Sequence, residues 1–237
     1  MAGGESFVFK QFIVKQNKCA MKVGTDAVLL GAWANLPAKG RVLDIGTGTG
    51  IIAMMTAQRS TAHIDAIEIE KDAFSQAVGN CNDCKWRDRL NIHHISFQDF
   101  AGRTTHKYDV IVSNPPYFSN SLQASSESRT TARHTCALSF EALVNGIKSL
   151  LLGHGSFATI LPSKEAEEFS EIAEDNGLYP IRLTRIKTTA SKAAKRVLIE
   201  FAFHRKSFSE NTLVIENEDH SYTAEYKNLT RDFYLGF

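Results

Sequence analysis

Segments with the periodicity of strands and of helices alternate along most of this 237-residue chain, and this alternation restricts its fold more than any other feature. Short apolar runs predict strands at residues 41–45, 63–68, 90–95, 108–113 and 156–161. Residues 178–187 and 196–203 are predicted to form an antiparallel pair. Strands that alternate with helices build a mostly parallel sheet with helices on both faces. We therefore predict an α/β fold, a three-layer sandwich around a mostly parallel seven-stranded sheet with an antiparallel last strand.

Helix patterns indicate how the chain is divided. An apolar helix is predicted at residues 23–35, upstream of the first strand of the alternation. Another is predicted at residues 140–152, where Gly153 stands in a position typical of helix ends. Neither a repeat nor a Pro/Gly/Ser-rich linker divides the chain. We predict a single compact domain, in which an N-terminal extension (residues 1–35) packs on a core domain (residues 36–237).

Composition and charge exclude several classes of protein. The chain is 43% hydrophobic and 22% charged, which is ordinary for a globular protein and unlike a disordered or fibrous one. Its apolar runs are shorter than the roughly 18 residues that span a bilayer, and its start lacks a signal-peptide pattern. The net charge of +1 argues against a protein that coats nucleic acid without specificity. We expect a cytoplasmic protein with no membrane association and no evident obligate protein partner.

The number and spacing of the cysteines bear on whether the chain binds a metal. Four cysteines are too few and too scattered for a disulfide framework, and they fit a reducing compartment. Cys81 and Cys84 have metal-ligand spacing, and His93 and His94 follow them. A structural zinc site usually needs a second closely spaced pair, whereas adjacent residues of a strand point to opposite faces. We therefore expect no metal site.

A glycine-rich turn follows the first strand of the alternation. Gly46, Gly48 and Gly50 stand between that strand and a helix, where glycine lets the chain turn sharply and lets a ligand approach the backbone. Ile51 occupies the place of the last glycine in a dinucleotide fingerprint, and the Lys-Ser/Thr pair of a P-loop does not follow. The turn therefore suits a nucleoside ligand without a pyrophosphate, such as S-adenosylmethionine.

Three carboxylates lie at or just beyond the ends of three successive predicted strands. Asp44 precedes the glycine turn, Glu68 ends the second strand, and Asp99 follows the third. We expect Asp44 to bind loop amides or a ligand ammonium, Glu68 to bind ribose hydroxyls and Asp99 to bind the adenine amino group. Glu70 is the alternative to Glu68, and solvated carboxylates at strand ends are the alternative for all three.

The fourth predicted strand ends in Asn114-Pro115-Pro116-Tyr117. Ligands bind at this edge of an open α/β sheet, although Asn and Pro are also ordinary turn residues. The glycine turn and this tetrapeptide together resemble motifs I and IV of the class I amino-methyltransferases, which have a Rossmann-like fold. The resemblance implies that Asn114 and Pro115 accept hydrogen bonds from a conjugated amino group, and that Tyr117 stacks on the planar substrate.

A second resemblance concerns the N-terminal extension. Phe9–Phe12 and Cys19–Asp26, continuing to Trp33, are similar to the N-terminal signature of the bacterial tRNA1(Val) adenine-N6-methyltransferases. The resemblance implies methylation of the adenine next to the anticodon, with S-adenosylmethionine as the cofactor and residues 36–237 as the catalytic domain. It also implies that three residues line the methionine end of the cofactor, unless they only cap a helix: Lys22, Thr25 and Asp26.

Basic residues are concentrated in a few stretches. Between residues 182 and 206 eight basic residues accompany a single acid, Glu200. Next to a base-modifying site, such a stretch is typical of a surface that contacts a phosphate backbone. A long polar loop at residues 118–134 carries two further candidates. The predicted RNA contacts are Arg129, Arg133, Arg182, Arg185, Lys192, Lys195 and Arg196, each of which is otherwise an ordinary solvated side chain.

Two other functions remain open at this point. The Asn-Pro-Pro-Tyr motif also serves protein glutamine N5-methyltransferases, although only 43 residues precede Asp44 and leave little room for their usual helical N-terminal domain. A non-catalytic RNA-binding protein on the same fold is the other alternative. The intact glycine turn and Asn114 argue against it.

Overall fold

The computed structural model of the protein describes residues 5–115, 138–205 and 207–237. Its strands are β1 (Ser6–Val8), β2 (Ile13–Lys15), β3 (Arg41–Ile45), β4 (His63–Glu68), β5 (Leu90–His94), β6 (Tyr108–Ser113), β7 (Leu151–Pro162), β8 (Tyr179–Lys187), β9 (Arg196–Ala202) and β10 (Ser209–Val214). Its helices are α1 (Thr25–Trp33), α2 (Ile51–Arg59), α3 (Lys71–Asn82), α4 (Phe97–Arg103), α5 (Phe140–Leu150), α6 (Ser163–Asp175) and α7 (Ala224–Thr230). Within the described ranges, none of these helices is long and apolar enough to cross a membrane.

Eight strands form one sheet in the order β10-β8-β9-β7-β6-β3-β4-β5, and β1 pairs with β2 as a separate hairpin. In the large sheet β9 runs antiparallel to both of its neighbours, and the other adjacent strands are parallel. The predicted mostly parallel α/β sheet and its antiparallel pair are confirmed. The count of seven strands was one too low, because β10 is a polar edge strand without the apolar alternation that predicts a strand.

The boundary between α5 and β7 differs from the prediction. The helix ends at Leu150, and Leu151 already belongs to β7, so Gly153 lies in the strand and does not end the helix. Leu151 pairs with Tyr108 of β6, and its side chain is buried. Strand pairing and burial therefore decide this boundary. Gly155 is the glycine with a packing role here, since a Cβ at that position would lie 2.7 Å from the Asp109 carbonyl oxygen.

Hydrophobic side chains cover both faces of the sheet. On one face, α1, α2, α3 and α7 contribute to a core that includes Leu29, Met54 and Ile64. On the other face, α4, α5 and α6 contribute to a core that includes Phe157 and Phe169. Each core consists of close-packed apolar side chains removed from water, which is the main source of stability for such a domain. The arrangement is the predicted three-layer sandwich.

The N-terminal residues pack into the first of these cores. The rings of Phe9 and Phe12 stack at 4.8 Å, and Phe9 also stacks on Tyr234 near the C-terminus at 5.9 Å. At the end of α1, Trp33 Nε1 donates to Thr184 Oγ1 of β8 at 2.9 Å. Residues 5–35 thus share a hydrophobic core with the rest of the chain. The division into an extension and a catalytic domain at residue 35 stays a prediction.

A buried carboxylate joins four strands on the opposite face. Asp65 of β4 accepts hydrogen bonds from Arg41 Nη1 at 2.9 Å and from the Tyr108 hydroxyl at 3.0 Å, and its Oδ1 lies 3.0 Å from His93 Nε2. Burial alone raises the pKa of a carboxyl group, but these bonds and the nearby Arg41 charge hold the pKa of Asp65 below its ordinary value. Asp65 therefore stabilises the fold as an anion.

We expect Asp65→Asn to lower the free energy of unfolding at pH 7 by about 1–3 kcal/mol, because the amide pairs poorly with the partly buried Arg41 and His93 side chains and with the buried Tyr108 hydroxyl. A depressed folded-state pKa contributes stability above the unfolded pKa of about 4 and loses it as pH falls through the folded value. The difference between wild type and variant should therefore shrink below about pH 4. Urea unfolding at several pH values measures it.

Asp83→Asn is the matched control, because Asp83 forms an exposed ion pair with Lys15. Its unfolding curve should follow that of the wild type. A pH-independent loss in Asp65→Asn would contradict a stabilising role for the ionised carboxylate.

Candidate active site

The carboxyl ends of β3, β4 and β6 lie side by side at one edge of the sheet. The parallel register places Ile45 of β3 opposite Ile67 of β4 and opposite Ser113 of β6. The next residues of each strand are the glycine loop, Glu68 and Asn114. The sheet therefore brings together three of the predicted site segments, at the edge where open α/β sheets bind ligands.

The glycine loop has a backbone that favours glycine at three positions. Gly46, Gly48 and Gly50 have φ values of +69°, +57° and +83°, which side chains other than glycine rarely adopt. A Cβ at Gly46 or Gly48 would find no described atom within 4 Å, so open space lies above the loop. At Gly50 a Cβ would lie 3.1 Å from Cys81 Sγ of α3. The first two glycines leave room for a ligand, and the third lets α2 and α3 pack closely.

Glu68 reaches back to the glycine loop. Its Oε2 accepts a hydrogen bond from the Gly48 amide at 2.9 Å, and its Oε1 accepts from the amides of Ile69 and Glu70 at 2.9 Å each. Ile69 is a large apolar side chain exposed next to it. The carboxylate predicted to bind ribose hydroxyls therefore lies against the loop that would hold the nucleoside, and its oxygens already face donors.

Glu70, the alternative to Glu68, has a different role. Its carboxylate caps α3 by accepting a hydrogen bond from the Ala73 amide at 2.6 Å. Backbone donors, from Ala73 first and then Asp72, hold the pKa of Glu70 below its ordinary value. The geometry thus favours Glu68 as the residue at the loop.

Asp44 is buried beneath the loop with one oxygen unsatisfied. The Thr47 hydroxyl donates to Oδ2 at 2.5 Å, whereas Oδ1 has no hydrogen-bond partner in the described part of the chain. Burial raises the pKa of Asp44 to about 7, despite the opposing effects of the Thr47 hydroxyl and the Ala53 amide. A buried, unpartnered carboxylate oxygen is costly, and such groups are enriched at functional sites. It is suited to a ligand that brings a cation.

Asp99 lies further along the same edge, in the first turn of α4. Its Oδ2 accepts from the Ser96 hydroxyl at 2.7 Å, and Ser96 in turn caps the helix by accepting from the Asp99 amide at 3.1 Å. The carboxylate thus forms part of a helix cap and is exposed. That Asp99 binds an adenine amino group stays a prediction.

Asn114 and Pro115 are half-buried directly beyond β6. The Ser113 hydroxyl donates to the Ile45 carbonyl oxygen at 3.0 Å, which ties the start of this motif to the start of the glycine loop. Tyr117 lies outside the described residues, as do Arg129 and Arg133 of the predicted loop. Their proposed roles stay predictions.

The predicted cofactor residues of the N-terminal segment lie around the start of α1. Gly24 occupies the N-cap and Thr25 is the first helical residue, so neither Thr25 nor Asp26 has the alternative role of cap. Lys22 and Thr25 are exposed. Asp26 Oδ2 pairs with Arg196 Nε at 2.9 Å, where β9 begins. Asp26, predicted to bind the cofactor, and Arg196, predicted to contact RNA, thus form an ion pair.

The basic residues at 182–196 fall into two groups. Arg182 is internal: its guanidinium lies 3.5 Å from the centroid of the Trp33 ring and pairs with buried Glu200 at 2.9 Å. Arg185 pairs with Glu210 at 2.6 Å across to β10. Lys192 and Lys195 are exposed on the loop between β8 and β9. The structure thus gives Arg182 a packing role, which the charge pattern did not indicate.

Strand direction places the loop between β8 and β9 at the site. Because β9 pairs antiparallel with β7, Arg196 at its start lies opposite Pro162 at the carboxyl end of β7. The preceding loop therefore projects from the same edge as the glycine loop. Among the predicted RNA contacts in the described ranges, Lys192 and Lys195 combine exposure with this location.

Three buried amide side chains at this site escaped the sequence analysis. Gln16, Gln76 and Asn80 are at most 5% exposed. Their spacing carries no known motif, and Gln76 and Asn80 bind backbone atoms that lie 31 to 65 residues away. Only the folded structure shows these hydrogen bonds between the amide side chains and the backbone.

Comparison with known proteins identifies the family. A family model described as methyltransferase small domain matches residues 20–139. The tRNA1(Val) (adenine(37)-N6)-methyltransferase of Bacteroides fragilis is 44% identical over 230 residues, which cover 97% of both chains. That of Flavobacterium johnsoniae is 48% identical, over 97% of this chain and 99% of the relative. This chain belongs to the tRNA1(Val) (adenine(37)-N6)-methyltransferase family.

Solved structures agree with this fold. A predicted O-methyltransferase from Agrobacterium tumefaciens superposes with a TM-score of 0.70 at 18% identity, covering 88% of this chain and 96% of that one. A glycopeptide N-methyltransferase solved with S-adenosylmethionine gives a TM-score of 0.55 at 13% identity, over 76% and 95% of the two chains. These likenesses concern the fold alone, and they confirm the class I, Rossmann-like methyltransferase architecture.

S-adenosylmethionine is the cofactor of this methyltransferase family, and the site fits it. Open space above Gly46 and Gly48 admits a ligand close to the backbone. The unpartnered Oδ1 of Asp44 suits the α-ammonium group of the methionine moiety. Among the described residues no group of three potential metal ligands occurs, and Cys81 and Cys84 are buried free thiols.

Titration of Asp44 should make cofactor binding depend on pH. A cationic ligand favours the carboxylate over the acid, and the free protein has its Asp44 pKa at about 7. We expect S-adenosylhomocysteine, which keeps the ammonium group, to bind about tenfold more weakly at pH 6 than at pH 8. Calorimetry in buffers of different ionisation enthalpy measures both the affinity and the protons released.

Asp44→Asn should bind weakly at both pH values and lose this pH dependence, whereas Asp99→Asn should retain it. A wild-type affinity that is flat between pH 6 and 8 would exclude Asp44 as the titrating group.

Proposed function

We propose that this protein transfers the methyl group of S-adenosylmethionine to N6 of adenine 37 in the anticodon loop of tRNA1(Val). One structural observation carries the proposal: Asn114-Pro115 extends from β6 beside the glycine loop, fixed by the Ser113–Ile45 hydrogen bond. Enzymes with this named activity are 44% and 48% identical to this chain over nearly its full length, and this likeness supports the choice of substrate. Transfer RNA as the partner and the cytoplasm as the compartment belong to the same proposal.

The chemistry needs positioning more than a strong base. The exocyclic nitrogen of adenine is a poor nucleophile, because its lone pair is delocalised into the ring. S-adenosylmethionine, when bound, supplies an electrophilic methyl group. In our proposal the Asn114 side-chain oxygen and the Pro115 carbonyl oxygen accept hydrogen bonds from the amino N–H groups and orient the lone pair. The rigid backbone at proline keeps both acceptors in place, which lowers the entropic part of the barrier.

The cofactor residues divide the ligand between them in this proposal. Asp44 holds the ammonium group, Glu68 the ribose hydroxyls and Asp99 the adenine amino group. Lys22, Thr25 and Asp26 lie toward the methionine end, and Tyr117 stacks on the target base. A carboxylate has about four acceptor positions and Glu68 uses three on amides, so one ribose hydroxyl can bind to Oε2 directly and a second would replace an amide contact.

Replacing Asn114 should separate chemistry from binding. We expect Asn114→Ala to reduce methyl transfer to tRNA by about 100-fold or more, because a misplaced reacting group is enough for such a loss. Calorimetric affinity for S-adenosylhomocysteine should stay within about threefold of wild type, since Asp44 and the glycine loop are untouched. The measurement is single-turnover transfer of labelled methyl groups.

Asn91→Ala is the control, because Asn91 is an exposed residue near the start of β5, away from the carboxyl edge. Normal activity of Asn114→Ala would refute the proposed mechanism. Transfer of labelled methyl groups to release factor and not to tRNA would replace the proposed substrate with a protein glutamine.

Two exposed lysines are proposed to hold the RNA backbone. Lys192 and Lys195 project from the loop between β8 and β9 at the carboxyl edge. Each phosphate contact releases counterions, so the affinity for RNA falls as salt rises. We expect Lys192→Ala/Lys195→Ala to weaken tRNA binding and to reduce the slope of log affinity against log salt by about 1–2.

The matched control is Lys39→Ala/Lys85→Ala, which removes two exposed lysines distant from that loop. It should leave the slope unchanged, and both double variants should keep the affinity for S-adenosylhomocysteine. An unchanged slope in Lys192→Ala/Lys195→Ala would remove this loop from the proposed RNA surface.

A further inference from the structure

A segment without regular secondary structure runs past α3 between β2 and α1. Residues 16–24 connect β2 to α1, and we call them the strap. Backbone donors and acceptors in such a segment need partners outside any helix or sheet ladder. Three buried amide side chains, those of Gln16, Gln76 and Asn80, supply several of these partners in the strap and in the last residue of β2.

Asn80 of α3 connects two distant segments. Its Oδ1 accepts from the Lys15 amide at 2.9 Å, and its Nδ2 donates to the Lys15 carbonyl oxygen at 2.8 Å. The same Nδ2 donates to the carbonyl oxygen of Thr49, in the glycine loop, at 2.8 Å. One side chain that is 1% exposed therefore holds the beginning of the strap and the glycine loop together.

Two glutamines hold the strap further along. The Lys18 amide donates to Gln76 Oε1 at 3.0 Å, and Gln76 lies one turn before Asn80 in α3. The Val23 amide donates to Gln16 Oε1 at 2.8 Å, which closes the strap upon itself just before α1. The strap is thus fixed near both ends and in its middle.

These contacts define the path of the strap. From Lys15 to Lys18 it runs along α3 toward the N-terminus of that helix. Cys19 then comes near Glu68: burial is the main cause that raises the pKa of Cys19, and the charges of Glu68 and Glu70 add to it. At Gly24 the strap passes into α1. It therefore passes beside the residues proposed to bind the nucleoside.

We propose that Asn80 is a positioning residue for S-adenosylmethionine, which sets the strap as a wall of the cofactor pocket by fixing it to the glycine loop. The proposal rests on the proposed function only in taking S-adenosylmethionine as the ligand. Asn80 acts through the two segments that it joins. Asn114 belongs to a third segment, which is tied to β3 through Ser113 and Ile45.

The chemistry of the side chain explains why an amide is needed. An amide has one acceptor oxygen and two N–H donors, and Asn80 uses both kinds of group on main-chain atoms. Truncation would leave the buried Thr49 carbonyl oxygen and the partly buried Lys15 carbonyl and amide without this partner, and main-chain atoms would then shift or take up water. The position of the strap relative to the glycine loop would no longer be defined.

The test compares three variants of the full chain. Asn80→Ala frees the strap and the glycine loop, Gln76→Ala frees the strap alone, and Asn82→Ala changes an exposed residue of the same helix as the matched control. The probe is S-adenosylhomocysteine, whose Kd is measured by calorimetry. We expect the Kd to rise about tenfold in Asn80→Ala, by a smaller factor in Gln76→Ala and not in Asn82→Ala.

Two further readouts separate positioning from general damage to the fold. In Asn80→Ala the KM for S-adenosylmethionine should rise, while kcat at saturating cofactor stays within about threefold of wild type. Without ligand, trypsin should cleave after Lys15, Lys18 and Lys22 faster in Asn80→Ala and Gln76→Ala. Mass spectrometry of the fragments locates these cuts, and S-adenosylhomocysteine should slow them in wild type.

An unchanged Kd in a folded Asn80→Ala protein would overturn the proposal, as would a loss confined to kcat. If Asn80→Ala does not fold, Gln76→Ala decides: faster cleavage in the strap with an unchanged Kd would show that the strap is not a wall of the pocket. Wild type that binds S-adenosylhomocysteine but leaves tRNA unmethylated would refute the proposed function and leave the role of Asn80 standing.

Discussion

The in-register parallel pairing of β3 with β4 and β6 is the constraint on which the site depends. Ile45 lies opposite Ile67 and Ser113, so the three chains leave the sheet at the same level. The amides of Gly46 and Thr47 donate to the Ile67 carbonyl oxygen at 3.0 Å each, which continues this alignment into the loop. A slip of one residue would turn every side chain of the strand to the opposite face. The register of the buried strands therefore determines the relative positions of the site residues.

Two buried aspartates on adjacent strands show how the chain separates stability from function. Asp65 has partners for both carboxylate oxygens, and these partners hold its pKa low. Asp44 has one oxygen without a partner, and burial raises its pKa to about 7. Asp44 is the more deeply buried of the two, and Asp65 has more hydrogen-bond partners, so burial and partners together cause the difference. The unsatisfied carboxylate lies at the carboxyl edge, where a cationic ligand group completes it.

Periodicity and turn chemistry were sufficient to predict the core of this fold. The strands from β3 to β6 and the glycine loop have strong local signals, since their apolar runs and glycines reflect burial and φ values directly. The edge strand β10 lacked such a signal, because Glu210 and its neighbours face solvent. The boundary at Leu151 was missed because pairing with Tyr108 overrides a local helix-end signal.

The site residues were predictable only where a single segment carries the chemistry. The glycine loop and Asn114 are local motifs, and the structure brings them together as expected. Arg182 and Asn80 act through partners 149 and 65 residues away, at Trp33 and Lys15. No window of sequence contains both members of such a pair. The sequence therefore indicated an RNA contact for Arg182 from its charge alone, and it indicated no role for Asn80.

Location and pairing determine what the basic residues can contribute to RNA recognition. A net charge of +1 leaves little long-range field, so recognition depends on charges close to the site. Arg182 and Arg185 form ion pairs with Glu200 and Glu210 within the sheet, which neutralise their charges. Lys192 and Lys195 stand on an exposed loop at the carboxyl edge. Positive charge confined to the carboxyl edge attracts RNA phosphates there and not elsewhere on the surface. A single-stranded RNA loop held at that edge can present a base to the site.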